Sequence, residues 1–149
     1  MALSDKAYLQ INQALFSLTH AYESRMTREE ANHPLGLRLS DCSVLMVMGL
    51  FAPLNASRLS ELMDLDLSTI SGYVQRLVEI GLVQRERNPE DRRTWWLTLT
   101  EAGQEAAQSI IAEAVTYTRD FLAALDEEEQ RTLHRLLLKA AHSLGFEWQ

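Results

Sequence analysis

The sequence predicts a mainly α fold with one small β-hairpin: a winged helix-turn-helix lobe plus a lobe of longer helices. Three observations predict it. Apolar residues recur every three or four positions along most of the chain. Two short capped helical segments are separated by only three residues, and two alternating runs then close around an Asn-Pro turn.

The elements follow in order. Leu3, Ala7, Ile11, Leu15, Leu18 and Tyr22 form one amphipathic stripe, with a looser stretch after it. Pro34 and Gly36 break the pattern, and Ser40 or Asp41 then offers an N-cap for an apolar helix that runs through Phe51 and stops at Pro53. Asn55 caps a short helix over residues 56–64 that buries Leu59, Leu62 and Met63. After Leu65-Asp66-Leu67, Ser68 caps a second helix with Ile70, Val74 and Leu77 on one face. Ser68, Gly72, Gln75, Arg76 and Glu79 lie opposite, and Gly81 suits the left-handed residue that ends the helix. Leu82–Arg87 and Thr94–Leu99 flank the turn to make a hairpin, with Trp95, Leu97 and Leu99 expected on the core side and Trp96 and Thr98 on the other. Thr100 caps a long helix striped by Ala106, Ile110, Ala114, Tyr117, Phe121 and Leu125. Asp126 and Glu129 have capping-box spacing before a last helix carrying Leu133, Leu136, Leu137, Ala140, Ala141 and Leu144.

A length of 149 residues and a hydrophobic content of 46% suit one domain or two closely packed lobes. No stretch approaches the roughly 20 apolar residues needed to span a bilayer, and the start Met-Ala-Leu-Ser-Asp has no basic or apolar leader character, so a cytoplasmic protein without a membrane partner is expected. The single Cys42 excludes an internal disulfide and fits a reducing compartment. The net charge of −7 is unevenly placed. Residues 1–54 carry four basic and five acidic groups, 55–100 six and seven, and 101–149 four and nine. All six cations of the middle segment are arginines, whose rigid fork suits phosphates and base edges better than lysine does.

A helix-turn-helix followed directly by a hairpin is the winged-helix order. In it a helix enters the major groove and the hairpin tip reaches the backbone or adjacent minor groove. With Asp91-Arg92-Arg93, Leu97, Leu99-Thr100 and Gly103 in the wing, the sequence resembles the MarR family of multiple antibiotic resistance regulators. Leu59-Ser60-Glu61-Leu62, Ser68-Thr69-Ile70-Ser71 and Gly81-Leu82-Val83-Gln84-Arg85 fall in the same family order, and the resemblance covers nearly the whole chain. Ser60, Asp64 and Leu67 depart from it, standing where alanine, glycine and a polar residue are usual. The resemblance implies a single domain over 1–149, with a helical dimerisation region over 1–38 and 101–149 and a DNA-binding lobe over 39–100. It also implies a homodimer that binds a pseudo-palindromic double-stranded operator, as a repressor released by a ligand.

Candidate DNA contacts are Ser68, Thr69, Ser71, Gln75 and Arg76 on the second helix and Arg92 and Arg93 on the wing. Glutamine and arginine match adenine and guanine edges, and the hydroxyls sit where helix N–H groups favour a phosphate. Simple capping is the plainer role for Ser68, and Tyr73 borders the buried face. By the resemblance one wing arginine enters the minor groove, with Asp91 orienting it; on an anonymous hairpin the pair would be a solvated charge cluster. The resemblance also implies a small aromatic or phenolic effector in a crevice to which Tyr22, Met46, Met48 and Tyr117 contribute, although core packing explains these residues equally well.

Other classes have less support. A phosphate loop, an H-E-x-x-H, a nucleophile elbow and a cysteine–histidine signature are all missing, so no enzyme is expected. His20, His33, His134 and His142 are too scattered for a metal motif, and no cofactor is implied. A cysteine-based redox sensor using Cys42 is an alternative, but an isolated cysteine is usually a small buried hydrophobe. A winged helix that binds another protein is the other, and loss of the wing arginines would have favoured it.

Overall fold

A computed structural model describes residues 3–30, 34–89, 91 and 93–145. The chain divides into two compact units, residues 1–42 and residues 43–149.

In the first unit α1 runs over Asp5–Glu30. Ser4 caps it, its hydroxyl accepting from the Ala7 amide at 3.3 Å. The helix does not loosen after Tyr22: Glu23, Arg25, Met26 and Arg28 are good helix formers, and neither glycine nor proline intervenes before Pro34. Six of its apolar residues, Tyr8, Leu9, Ile11, Leu15, Phe16 and Leu18, are exposed. Next comes α2 (Leu39–Phe51). Ser40 and Asp41 stand inside it rather than before it. Asp41 closes the helix from its first turn, one carboxylate oxygen accepting from the Arg38 amide at 2.9 Å. Cys42 and Leu37 are buried.

The second unit is built on α2, whose Val44, Leu45, Val47 and Met48 are buried. Its one glycine lets α5 (Glu101–Leu122) come close: a Cβ at Gly49 would stand 3.0 Å from the Ala107 Cβ. Pro53 ends α2, and the chain pairs at once with the hairpin. Leu54 and Leu97 exchange backbone hydrogen bonds of 3.3 and 2.8 Å, an isolated antiparallel bridge that the sequence did not reveal.

Asn55 caps α3 (Ala56–Met63), its side chain accepting from the Arg58 amide at 2.8 Å, and Asp64 takes the left-handed conformation after it. The cap of α4 (Leu67–Glu79) is Asp66, not Ser68. Leu67 therefore already belongs to the helix. Leu59 of α3 and Ile70, Val74 and Leu77 of α4 are at most 2% exposed. Burying side chains of this size contributes about 1.5–3 kcal/mol each. Gly81 follows with a φ of +79°, a conformation that only glycine takes without strain.

The wing is an antiparallel pair, β1 (Val83–Arg87) and β2 (Trp95–Leu99), with Val83 opposite Leu99 and Arg87 opposite Trp95. Leu97 is buried as expected, but Trp95 is 46% exposed. It stands at the far end of the hairpin, beyond the reach of the core, and its partner across the strands is the Arg87 guanidinium, 4.3 Å from the ring centroid. Trp96 on the other face is the more covered of the two.

Thr100 caps α5, and the Asp126–Glu129 capping box starts α6 (Glu127–Ser143). Leu125 lies past the end of α5 at Leu122. No residue of α6 is buried, and Leu136, Leu137 and Leu138 are about half exposed, with Leu136 at 48%. No helix among the described residues is long and apolar enough to cross a membrane.

Gly103 has a steric reason. A Cβ there would lie 1.9 Å from the Leu82 carbonyl oxygen, so α5 rests directly on the strand entrance. Gly103→Ala is expected to destabilise the fold by about 3 kcal/mol, because the clash is with backbone and cannot be relieved by a rotamer change. Urea unfolding followed by tryptophan fluorescence, at matched protein concentration, checks this.

Candidate nucleic-acid interface

The outer face of α4 is set by its inner one. With Ile70, Val74 and Leu77 buried, the helical repeat turns Ser68, Gly72, Gln75 and Glu79 to solvent, while Thr69 and Arg76 are partly covered at the margin. Ser71 is exposed as well. The structure thus brings together the five α4 residues singled out from the sequence.

Their chemistry differs from the expectation at the helix start. The Asp66 carboxylate accepts from the Ser68 hydroxyl at 2.5 Å, from the Thr69 hydroxyl at 2.7 Å and from the Thr69 amide at 2.9 Å. It occupies the place where the sequence suggested a phosphate. These hydrogen bonds, the Ser68 hydroxyl foremost and then the Thr69 hydroxyl and amide, hold the Asp66 carboxyl well below the usual carboxylate range. With their hydrogens donated, the Ser68 and Thr69 hydroxyls are left as acceptors, which suits a base amino group better than a phosphate. The signal for this was an aspartate three residues before a threonine at a helix start, and Ser68 masked it.

At the other end of the face the Gln75 side chain is held from both sides. Its amide nitrogen donates to Glu79 at 3.0 Å, and its oxygen accepts from Arg85 of β1 at 3.3 Å. Arg85 thus links the helix to the root of the wing. Sequence reasoning missed this role, because the pairing joins two different elements and follows no local spacing.

On the wing, Asp91 acts through the backbone. One carboxylate oxygen accepts from the Arg93 amide at 3.0 Å, and its carbonyl accepts from the Thr94 amide and hydroxyl, both at 3.0 Å. Asn88 closes the same turn by donating from its side chain to the Thr94 hydroxyl at 3.1 Å. Arg93 is exposed. Arg92 lies outside the described residues.

Within the second unit, Met46 and Met48 line two different cavities. Met48 lines a cavity of about 350 Å³ with Pro53, Thr98, Leu99, Gln104 and Ala107, between α2, the end of β2 and α5. Met46 lines a more apolar one of about 340 Å³ with Leu50, Val115 and Leu122, and Ile111 borders both. Tyr117 is 7% exposed and lines neither. Tyr22 belongs to the first unit, and burial pushes its phenol above the ordinary range. Among the described residues, no three of the His, Cys, Asp and Glu side chains are placed to hold a metal ion.

The model of the MarR family matches residues 35–94. Over 84 residues the chain is 38% identical to a transcriptional regulatory protein named for the hcr operon of Thauera aromatica, across 56% of this chain and 51% of that one. The chain thus spans about half the length of that relative. A "probable transcriptional regulator" of Pseudomonas aeruginosa is 30% identical, with 88% of this chain and 98% of that one covered and a TM-score of 0.67. A MarR family protein from Bacillus stearothermophilus is similar in fold at 21% identity, over 97% and 99% of the two chains, with a TM-score of 0.82. FabT of Streptococcus pneumoniae, solved in complex with DNA, is similar at 19% identity over 93% and 97%, with a TM-score of 0.79. With the helix-turn-helix, the wing and the Leu-Thr-x-x-Gly junction in place, the chain belongs to the MarR family of winged-helix transcriptional regulators.

Proposed function

We propose that the chain is a DNA-binding transcriptional regulator that reads a pseudo-palindromic operator as a homodimer. One observation carries this reading: the outward face of α4, with Ser71, Gln75 and Arg76, is tied through Arg85 to a hairpin bearing Arg87 and Arg93. An acidic protein keeps its middle segment near neutrality with arginines alone, and they cluster on and beside these two elements. The likeness to a protein solved with DNA supports the same reading. Ser68 and Thr69 join the contact as acceptors. Arg92 and Arg93 approach the minor groove, from a turn that Asp91 shapes.

The lobe over 39–100 makes these contacts, and 1–38 with 101–149 forms the dimer. Support comes from the apolar surface that one chain leaves open. Phe16 of α1 is 71% exposed and Leu137 of α6 is 52% exposed, within runs of exposed Leu, Ile and Tyr that a monomer would leave in water. The cavity lined by Met48 is where a small aromatic or phenolic effector would touch α2, β2 and α5 together and so shift the wing. Repression relieved by that effector is the mode the family resemblance implies.

Analytical ultracentrifugation at micromolar concentration is expected to give about twice the 17.0 kDa chain mass, and a stable monomer would overturn the dimer. Replacing Arg92 and Arg93 by alanine is expected to make the slope of log affinity against log salt shallower by about 1–2 units. Fluorescence anisotropy on a duplex that the protein selects from a randomised pool checks this. Melting temperature is expected to stay put, since charged side chains without a buried partner contribute little to stability.

A further inference from the structure

Of the six glycines, five have a reason within the chain. Gly36, Gly81 and Gly145 take positive φ. Gly49 and Gly103 face side-chain or backbone atoms that a Cβ would crowd. Gly72 has neither reason. It sits in the middle of α4 with ordinary helical backbone, and among the described residues nothing beyond its chain neighbours and its own helix's backbone lies within 4 Å of where its Cβ would be. Glycine is the poorest helix former after proline, so this position weakens the recognition helix without any compensation inside the molecule.

Its place on the helix gives the compensation a direction. Gly72 is almost diametrically opposite the buried Ile70–Val74–Leu77 stripe, with Ser68 and Thr69 one turn before it and Gln75 and Arg76 one turn after it. It is the centre of the polar face. We propose that Gly72 is a specificity-determining contact, where base edges on the floor of the major groove meet the α4 backbone directly. A side chain there holds the helix away from the bases that its neighbours read. This rests on the operator-binding reading above and adds to it the depth at which the helix seats.

The test is Gly72→Ala, beside wild type. Wild-type protein first selects a preferred sequence from a pool of randomised duplexes of about 30 base pairs, long enough for two half-sites. Affinities of both proteins are then measured on that duplex and on an unrelated one, with melting curves for both. The alanine variant is expected to melt higher by about 2–4 °C, since the helix former improves where no atom is crowded. It is expected to lose about 10-fold or more on the selected duplex and less than about 2-fold on the unrelated one, where phosphate contacts dominate. Equal affinity of the two proteins for the selected duplex would overturn this inference alone. Equal losses on both duplexes would place Gly72 against phosphates and overturn the base contact. If wild type enriches no sequence, the operator-binding reading falls and this inference falls with it.

Discussion

Everything that positions the candidate interface depends on one junction, where the wing returns to the helical body. The Thr100 amide donates to the Leu82 carbonyl at 3.1 Å, and its hydroxyl donates to the Gly81 carbonyl at 2.7 Å while accepting from the Gly103 amide at 3.0 Å. One threonine thus fixes the end of α4, the start of β1 and the first turn of α5. Gly103 is the steric partner of that arrangement, because α5 can start on top of Leu82 only if no Cβ intervenes. The Leu-Thr-x-x-Gly spacing is a packing constraint before it is a family signature. The junction thus joins α5 to both α4 and the wing.

Polar chemistry refines what the junction positions. Asp66 takes up the free hydrogens at the start of α4, which leaves Ser68 and Thr69 as acceptors. Arg85 and Glu79 hold both ends of the Gln75 amide. Gln75 therefore begins with both partners satisfied inside the molecule, and a base contact by its amide replaces existing hydrogen bonds. Such exchange favours discrimination over raw affinity, because a wrong base leaves both partners unpaired.

Most of the fold was legible because its signals are local. Asn55, Thr100 and the Asp126–Glu129 pair are caps with fixed short spacings, and the stripes of α4 and α5 follow the helical period. What the sequence hid depends on distance or competition. Leu54 pairs with Leu97 across 43 positions, and Arg85 reaches Gln75 from a different element. Ser68 and Asp66 both suit a cap, and the carboxylate prevailed because it accepts three hydrogen bonds at once. Trp95 keeps the strand alternation that predicted a core residue, yet alternation gives a face and not how far the core extends along it. The exposed face of α4 was readable from the helical period, whereas the grouping of Tyr22, Met46, Met48 and Tyr117 in one effector site came only from the family resemblance.

The central claim is that two copies of the α4–wing unit read one operator symmetrically. Hydroxyl-radical footprinting of the selected duplex tests it most directly. Two matching protected half-sites are expected, their centres about one helical turn, or a whole multiple of it, apart, each with minor-groove protection on its outer flank from the wing. A single unpaired footprint, or protection spread evenly along any duplex, would contradict it.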